Sequence, residues 1–505
     1  MSSRENGDSE LHEEGSLRGV PLSGDFIVSG RTVRLQTIHS GLAWKGQDQI
    51  SDCHVDWNDV ITAYLGGVSR GPGVKARVGV VPEEDRFTLH YIEHQKNNIL
   101  RHKHVTFIGQ TGQLKEWLDS VAERTGRGRP KCLLTLVNPI GGQKKGAKLY
   151  EAVVRPLFEL AGIEAKLKIT ERFRHAEEIA KTFDVTEVDG LIVSGGDGLM
   201  QEVIQGLITR FSVGCNDPDV ELNPLPITLG ALPTGSGNGI SMACHGCTDL
   251  ETATLAVVRG EKQYLNIVSV HGSTDLLVGY AGFAAGYGFW ADLFKHADDH
   301  RWLKTYRYLV GAFRGLFAGK REFIVEGEYL PTARPDKHIR AAEDLARNTD
   351  TEGWVKFSGT FTGINCLPGG FYRVDGKPGV VHWHQGGVGV NLFLEKRSSK
   401  LSYLKWMLGI SKREGDLDVL QCNADHIEEH YVKEFRFSLR ESDTTPAEHG
   451  DARLPTGEEK RTVQQLVFLD GEIRPIDTSS MVVRNRRNVT EFFCAKYTSV
   501  EPSPC

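Results

Sequence analysis

The sequence predicts a small β-rich domain, an α/β lobe after it, and a last lobe dominated by antiparallel sheet. Short alternating segments broken by Gly and Pro fill the first part of the chain and indicate antiparallel strands. Strands then alternate with helices, which favours a parallel sheet, and strand-rich sequence returns from about Tyr264 onward. The length of 505 residues supports two or three domains.

The first domain is predicted over residues 21–125, after a Ser-, Glu- and Gly-rich segment, residues 1–20, that we expect to be disordered. One helix, Gly112–Val121, has apolar residues at helical spacing and follows the strands. Several strands followed by one helix is the order of a pleckstrin-homology-like (PH-like) domain, which this segment resembles. The predicted strands are Phe26–Val28, Thr32–Leu35, Ile61–Leu65, Phe87–Tyr91 and His104–Ile108.

The α/β lobe is predicted over residues 130–262, after a Gly-, Pro- and Arg-rich hinge. Its strands alternate with helices, so we expect a parallel, doubly wound sheet whose ligands bind at the carboxyl ends of the strands. The predicted elements are the strands Leu133–Val137, Ala165–Ile169 and Gly190–Val193 and the helices Gly146–Leu160 and Ala176–Phe183.

The last lobe is predicted over residues 263–500. Its strand-like segments include Val355–Phe357, Phe361–Ile364 and Val388–Phe393, and a helical stretch, Phe289–Leu316, interrupts them. The polar stretch Glu441–Lys460 contains Pro and Gly and is predicted to be a surface loop.

Composition indicates a soluble, cytoplasmic protein. The formal net charge of −6 gives no sign of a nucleic-acid partner. The polar N-terminal segment lacks the apolar stretch of a secretory signal, and no run of about 18 apolar residues occurs, so we expect any membrane contact to be peripheral. The nine cysteines lack disulfide spacing and are predicted to be reduced, and Cys244 and Cys247 fit structural thiols better than a zinc site.

Three glycine-bearing turns follow predicted strands, at Asn138–Gly142, Gly195–Gly198 and Pro233–Asn238. Glycine at such a turn allows main-chain N–H groups to converge on an anion. Each turn alone is equally well explained as structural, but three together, one with Asp197 among its glycines, favour a phosphate-binding site. The chain has neither the P-loop pattern nor the G-x-G-x-x-G pattern of dinucleotide sites.

The same turns resemble a known family. The sequences LVNPIGG, SGGDGLMQEV, LPTGSGN and, near the end, DGE occur in the order and spacing of motifs of the diacylglycerol, sphingosine and ceramide kinase superfamily, across residues 131–475. The resemblance implies a lipid kinase that uses ATP and magnesium (Mg²⁺). It also implies an α/β nucleotide-binding lobe, a β-sandwich lobe and an active site in the cleft between them.

The resemblance assigns nucleotide contacts residue by residue. Glu202, one helical turn past Asp197, would orient the nucleotide or the metal, and a solvated helix acid is the open alternative. Arg301 and Arg307 would reach the phosphates; they share no helix face, so we expect a bend or a loop between them. The remaining residues assigned to ATP or its magnesium are Asn138, Pro139, Ile140, Thr170, Glu171, Arg172, Phe173, Arg174, Gly235, Ser236, Gly237, Asp470, Gly471 and Glu472.

Under this interpretation Asp197 is the general base that accepts the proton of the lipid hydroxyl. The flanking Gly195, Gly196 and Gly198 let the hydroxyl and the γ-phosphate approach the carboxylate closely. Asp292, in the segment GYGFWAD, belongs to the implied substrate pocket.

The lipid is predicted from the segment Gly286–Asp292, which resembles that of sphingosine and ceramide kinases. Sphingosine kinases place a further acid two residues later, where it pairs with the amine of a sphingoid base, and here that position is Phe294. An ammonium group is costly to bury without a countercharge, whereas the amide of ceramide is neutral. We therefore expect phosphorylation of ceramide to ceramide 1-phosphate at the surface of a membrane.

Two alternatives stay open: a sphingosine or diacylglycerol kinase, and a non-catalytic lipid-binding adaptor that kept the fold. One further partner is suggested by Lys400–Leu408, which is basic, apolar and helix-spaced. Such a helix suits calmodulin or a bilayer surface, with packing against the lobe as the alternative.

Overall fold

The structure is a computed structural model that divides into two compact units. The first includes Met1–Glu93 and Lys103–Arg127, and the second includes His94–His102 and Gly128–Pro502. The residues described are 22–46, 53–66, 85–139, 145–273, 276–300, 306–317, 322–332, 353–368, 371–372, 378–381, 388–411, 424–440, 465–476 and 480–495. The predicted disordered segment 1–20 and the predicted loop Glu441–Lys460 lie outside them.

The N-terminal domain is a seven-stranded sheet with one helix, α1 (Thr111–Arg124). Phe26 lies at the centre of its core and packs edge-to-face against Trp117 of α1, with ring centroids 5.8 Å apart. A β-rich domain is therefore present, and its PH-like identity stays a prediction. The strands are β1 (Ser23–Val28), β2 (Arg31–Ile38), β3 (Gly41–Gly46), β4 (Cys53–Asp56), β5 (Val60–Leu65), β6 (Arg86–Gln95) and β7 (Ile99–Ile108), in the spatial order β4-β3-β2-β1-β7-β6-β5.

One described cysteine, Cys53, differs from expectation. Cys53 is disulfide-bonded, so the prediction of nine reduced thiols is wrong there. Cysteines scattered along a sequence give no spacing from which such a bond could be predicted. The described free thiols are those of Cys132, Cys215, Cys244, Cys247, Cys366 and Cys494.

The α/β part of the second unit contains four parallel strands in the spatial order β9-β8-β10-β11. All six residues of the strand Gly190–Gly195 are buried, which explains its continuous apolar sequence. β9 lies on one side of β8, whereas β10 and β11, which follow β9 in the chain, lie on the other side. The carboxyl ends of β8 and β10 therefore meet where the strand order reverses, the usual ligand position in such sheets. The strands are β8 (Cys132–Val137), β9 (Glu164–Ile169), β10 (Gly190–Gly195) and β11 (Thr228–Pro233).

Helices connect these strands and continue into the last lobe. The predicted helix Gly146–Leu160 contains a π-helical turn at Tyr150–Val154, between two short α-helices. Residues 301–305 are outside the described chain, so the bend expected between Arg301 and Arg307 remains a prediction. The helices are α2 (Gly146–Leu149), α3 (Arg155–Leu160), α4 (His175–Thr182), α5 (Asp197–Phe211), α6 (Gly239–His245), α7 (Leu250–Arg259), α8 (Phe289–Asp299), α9 (Tyr306–Phe317) and α10 (Lys400–Ser411).

Most of the later strands in the described chain extend the parallel sheet into one mixed, fourteen-stranded sheet. The junction is a parallel pairing of Leu229 with Phe492, and the strand that contains Phe492 then pairs antiparallel with strands of the last lobe. The β-sandwich arrangement of that lobe stays a prediction. Its strands, including a separate pair of β17 and β18, are β12 (Lys262–Gly272), β13 (Leu277–Ala281), β14 (Ala285–Gly288), β15 (Phe323–Pro331), β16 (Val355–Leu367), β17 (Phe371–Tyr372), β18 (Pro378–Val381), β19 (Val390–Lys396), β20 (Ile427–Leu439), β21 (Gln465–Leu469), β22 (Glu472–Ile476) and β23 (Ser480–Phe493).

Helix α10 packs against the last lobe with its aromatic side chains. Tyr403 and Trp406 are buried, and the Tyr403 ring lies 4.8 Å from that of Phe289, centroid to centroid. The structure therefore favours the packing alternative for this helix, and calmodulin binding stays a prediction. In the part of the chain that the structure describes, no helix is long and apolar enough to cross a membrane.

His245, the last residue of α6, provides a pH test of the fold. It is fully buried, its Nε2–H donates to Ala231 O (3.3 Å), and its Nδ1 accepts from Ala495 N (3.3 Å). Burial lowers the pKa of His245 to about 4. Between pH 6.5 and 4 the unfolded chain therefore binds a proton that the folded chain rejects, and we expect up to roughly 3 kcal/mol of stability to be lost over that window.

The variant His245→Gln keeps one donor and one acceptor but does not titrate. We expect its free energy of unfolding, measured with urea at pH 7 and pH 5, to fall less with pH than that of the wild type. The exposed His54→Gln is the control and should follow the wild type. Equal pH dependence in all three proteins would contradict a neutral, buried His245.

Candidate active site

The described residues of the three predicted turns lie side by side where β8, β10 and β11 end. Asn138 N donates to Ser194 O (3.1 Å), and Thr234 N donates to Gly195 O (3.3 Å). The hydroxyl groups of Ser194 and Thr234 are also hydrogen-bonded to each other, at 3.1 Å. Residues 140–144, which include Ile140 and the rest of the first turn, are outside the described chain. Pro139 is half-buried beside Asn138.

Glycine is required where the second and third turns meet. A Cβ on Gly196 would lie 2.9 Å from Gly237 O, and a Cβ on Gly235 would overlap the main-chain N and Cα of Gly196. Asn238 closes the third turn, because its Oδ1 accepts from Gly235 N (3.1 Å) and its Nδ2 donates to Gly235 O (3.2 Å). Ser236 and Gly237 remain exposed at the tip of this turn. The glycines thus serve main-chain packing between the two turns.

Asp197 is the first residue of α5 and caps the start of another helix. Its Oδ2 accepts from Gly239 N and its Oδ1 from Ile240 N, both at 2.9 Å. Burial raises the pKa of Asp197 above the usual aspartate value, and the two N–H donors oppose part of this rise. Each carboxylate oxygen keeps lone-pair capacity for another donor. The acid is therefore held in one orientation while still able to accept a further hydrogen bond.

Asp470 and Gly471 form the two-residue turn between β21 and β22. Their φ angles are +52° and +87°, the left-handed pair that favours Asp-Gly in a tight hairpin. The buried Asp470 carboxylate accepts three main-chain hydrogen bonds, from N of Gly282 (2.7 Å), Phe283 (2.8 Å) and Ala284 (2.8 Å). Burial, and secondarily the charge of Asp197, raises the pKa of Asp470 to about 7. The two acids are thus electrostatic neighbours.

Glu202 and Glu472 form a second acidic pair beside the first. A Cβ on Gly198 would lie 2.5 Å from Glu472 Oε1, so the Glu472 side chain lies against the start of α5. Glu202 is only 6% exposed, and its Oε2 accepts from Ala176 N (3.3 Å). Burial, and secondarily Glu472, raises the pKa of Glu202. The alternative that Glu202 is a solvated helix acid is therefore wrong.

The segment from Thr170 to Arg174 follows β9 and lies beside Asn138. Thr170 N donates to Val137 O at 2.9 Å, which holds the segment at the end of β8. Both arginines are ion-paired to α4: Arg172 with Glu178 (2.6 Å) and Arg174 with Glu177 (2.6 Å). The Glu171 main-chain N–H bonds His175 Nδ1 (3.1 Å), and the Phe173 side chain is 61% exposed.

The other predicted site residues lie in the helical part of the last lobe. Asp292 is in the first turn of α8 and Arg307 in the first turn of α9, and both side chains are half-buried. Arg301 is outside the described residues.

Magnesium fits the chemistry of this acidic group only together with a nucleotide. In the described residues no group of three or more His, Cys, Asp or Glu side chains could hold a metal ion. Mg²⁺ usually binds one or two carboxylates together with substrate phosphates. Asp470 and Glu472 supply hard oxygen donors of this kind, and either could hold a magnesium ion that arrives with ATP.

Two parts of the site were not identified from the sequence. The loop Gly282–Ala284 supplies three donors to Asp470, and its only signal was the small-residue sequence AGFAAG directly before the predicted pocket segment. The start of α6 at Gly239 supplies the donors to Asp197, and the turn residue Asn238 directly before it was the available signal.

Comparisons with known proteins found similar sequences and a similar solved structure. Residues 132–270 match the diacylglycerol kinase catalytic domain family. The chain is 28% identical to the human protein named ceramide kinase over 415 residues, 74% of each chain. It is 32% identical to human sphingosine kinase 1 over 215 residues, 41% of this chain and 53% of that one. A solved structure of a diacylglycerol kinase from Bacillus anthracis superimposes with a TM-score of 0.46 at 16% identity, covering 72% of this chain and 96% of that one. The sequence matches confirm the resemblance seen in the motifs and the enzyme class it implies, a lipid kinase.

The contact between the second and third turns can be tested by Gly235→Ala. Because the added methyl group would overlap main-chain atoms of Gly196, we expect the free energy of unfolding to fall by about 1–3 kcal/mol. We also expect weaker ATP binding, since the two turns are pushed apart. Urea unfolding and calorimetric titration with ATP measure the two effects.

Gly112→Ala is the control, because a Cβ there meets nothing within 4 Å. A Gly235→Ala protein as stable as the control, with unchanged affinity for ATP, would show that the turns tolerate separation.

Proposed function

We propose that this lipid kinase transfers the γ-phosphate of ATP to the primary hydroxyl of ceramide, with Asp197 as the general base. The observation that carries the proposal is the placement of the Asp197 carboxylate. It lies between two glycine turns at the strand-order reversal, and the acids of the hairpin turn at Asp470 are its neighbours.

The environment of Asp197 supports its role as a base. Its raised pKa makes it a better proton acceptor than an exposed aspartate, and its two main-chain hydrogen bonds fix its direction. General base catalysis contributes roughly 10² to 10⁴ in rate, so positioning and charge neutralisation supply the rest. In our proposal Mg²⁺, Arg301 and Arg307 provide positive charge at the γ-phosphate.

The nucleotide would lie across the strand ends. Asn138, Pro139 and Ile140 would line its phosphates on one side, and the exposed turn Gly235–Gly237 on the other. The segment Thr170–Arg174 would border the nucleotide, because Thr170 is hydrogen-bonded to the end of β8. Glu202 would act behind the site, because its carboxylate is buried at the start of α4.

The surroundings of α8 favour a neutral lipid. Phe294 stands where sphingosine kinases carry an acid, and its ring lies 5.1 Å from that of Phe468, centroid to centroid. The nearby buried Glu395 is already bonded by three neutral donors: Trp290 Nε1 (2.7 Å), Asn365 Nδ2 (2.7 Å) and Tyr403 OH (2.5 Å). A sphingoid ammonium would have to disrupt this arrangement to gain a countercharge, whereas the ceramide amide needs none.

The experiment that tests the proposal is transfer from γ-labelled ATP to ceramide, sphingosine and diacylglycerol in mixed micelles with Mg²⁺. We expect labelled ceramide 1-phosphate as the main product. Asp197→Asn should lower the rate at least a hundredfold, because the amide accepts no proton, while the exposed control Asp217→Asn should keep it.

Preferred turnover of sphingosine or diacylglycerol would contradict the ceramide assignment. Transfer to none of the three lipids would favour the adaptor alternative, and unchanged transfer by Asp197→Asn would exclude this acid as the base.

An exposed apolar face of α9 supports peripheral contact with a bilayer. Tyr306, Val310 and Phe313 are spaced by four and three residues, so they share one helix face, and they are 71%, 42% and 50% exposed. Arg314 lies exposed beside this face, where it would meet anionic lipid headgroups. Since the proposed substrate resides in a membrane, we propose that this face docks on the bilayer that contains it.

The double substitution of Val310 and Phe313 by serine tests the docking. We expect reduced co-sedimentation with ceramide-containing vesicles and slower transfer to vesicle ceramide, because apolar area leaves the interface. Transfer to a short-chain ceramide in micelles should be retained. Val213→Ser, which changes a 96% exposed valine in another part of the fold, is the control. Equal vesicle binding by all three proteins would contradict the proposal.

A further inference from the structure

A small cavity is lined in part by Asp197. Its volume is about 10 Å³, and Gly196, Asp197, Asn238 and Ser241 contribute to its wall together with apolar side chains such as Met200. A cavity of this size holds about one water molecule, and a water remains in such a place only when polar groups bond it.

Ser241 has an unmet hydrogen-bonding requirement at this cavity. It is the third residue of α6, its side chain is 3% exposed, and within the described chain its Oγ has no hydrogen-bond partner. Buried hydroxyl groups nearly always have a partner, either protein or ordered water. The Asn238 amide is already bonded to Gly235 through both its oxygen and its nitrogen. Among the residues that line the cavity, Asp197 is the charged one, so its carboxylate is the strongest side-chain acceptor for a water bonded to Ser241.

We infer that an ordered water occupies this cavity and links Ser241 Oγ to the Asp197 carboxylate. The serine hydroxyl donates to the water, and the water donates to the carboxylate, so no proton is transferred and no bond is broken. The carboxylate then has three donors: the main-chain N–H groups of Gly239 and Ile240, and the water. Ser241 is thus a positioning residue that holds the base in the orientation needed by the lipid hydroxyl.

This inference depends on the proposed role of Asp197, and a matched pair of variants tests it. Ser241→Ala removes the hydroxyl on the cavity wall that Ser241 shares with Asp197. Ser212→Ala removes another buried hydroxyl without a partner in the described chain, at the opposite end of α5 and away from the cavity wall. The kinetic assay is lipid phosphorylation by the full chain with saturating Mg²⁺.

We expect Ser241→Ala to lower kcat about tenfold, equivalent to about 1.4 kcal/mol, with little change in the KM for ATP. Ser212→Ala should keep the kcat of the wild type. Both variants lose a comparable buried hydroxyl, so a merely structural role would change their melting temperatures alike and leave kcat unaffected. Equal kcat values for the two variants would overturn the inference.

A high-resolution crystal structure of the wild-type chain provides a second test that does not need activity. Density for a water within hydrogen-bond distance of both Ser241 Oγ and the Asp197 carboxylate supports the inference. An empty cavity, or a Ser241 hydroxyl bonded to its own helix, overturns it. A wild-type chain that phosphorylates no lipid would instead contradict the proposed function. Failure of the proposed function and failure of this inference are therefore distinguishable.

Discussion

The two hydrogen bonds from the start of α6 to the Asp197 carboxylate are the contact on which the site depends. Asp197 belongs to the helix after β10, whereas Gly239 and Ile240 belong to the helix after β11. One carboxylate therefore joins the ends of two parallel strands. The positive end of a helix also favours a negative group at its N-terminus. The same interaction thus orders the turns and opposes the rise in the pKa of Asp197 that burial causes.

Asp470, the acidic neighbour of Asp197, is also held by main-chain donors. Asp470 is satisfied by three main-chain N–H groups, and Arg172 and Arg174 are engaged with glutamates of α4. The described hydrogen bonds to Asp197 and Asp470 therefore come from the main chain and carry no full positive charge. Two nearby carboxylates held in this way repel each other, which contributes to the raised pKa of Asp470. Under the proposed function, a cation brought by the nucleotide would relieve that repulsion.

Local sequence patterns predicted the strands and turns but not the long-range contacts. The strand Gly190–Gly195 and its glycine turn could be recognised from adjacent residues. The bonds from Asp470 to the loop at Gly282 join residues 188 positions apart, and no local pattern encodes such a pairing. The burial of Glu202 was likewise unpredictable, because it results from the packing of α4 and β22 over α5. The Asp-Gly pair at 470 was recognised as a motif, but its left-handed turn appeared only with the paired strands on either side.

Two explanations compete for the glycines around Asp197: close packing of the main chain and close approach of a ligand. The structure shows the first directly, since Gly196 and Gly235 leave no room for a side chain between their turns. That packing also bears on the second explanation, the close approach of a ligand. If either turn moved outward, the bonds from Gly239 and Ile240 to Asp197 would lengthen, and the carboxylate would lose its fixed direction. The absence of side chains at these positions therefore allows the acid to be held in one direction, and under the proposed function the packing requirement and the chemical requirement select the same residues.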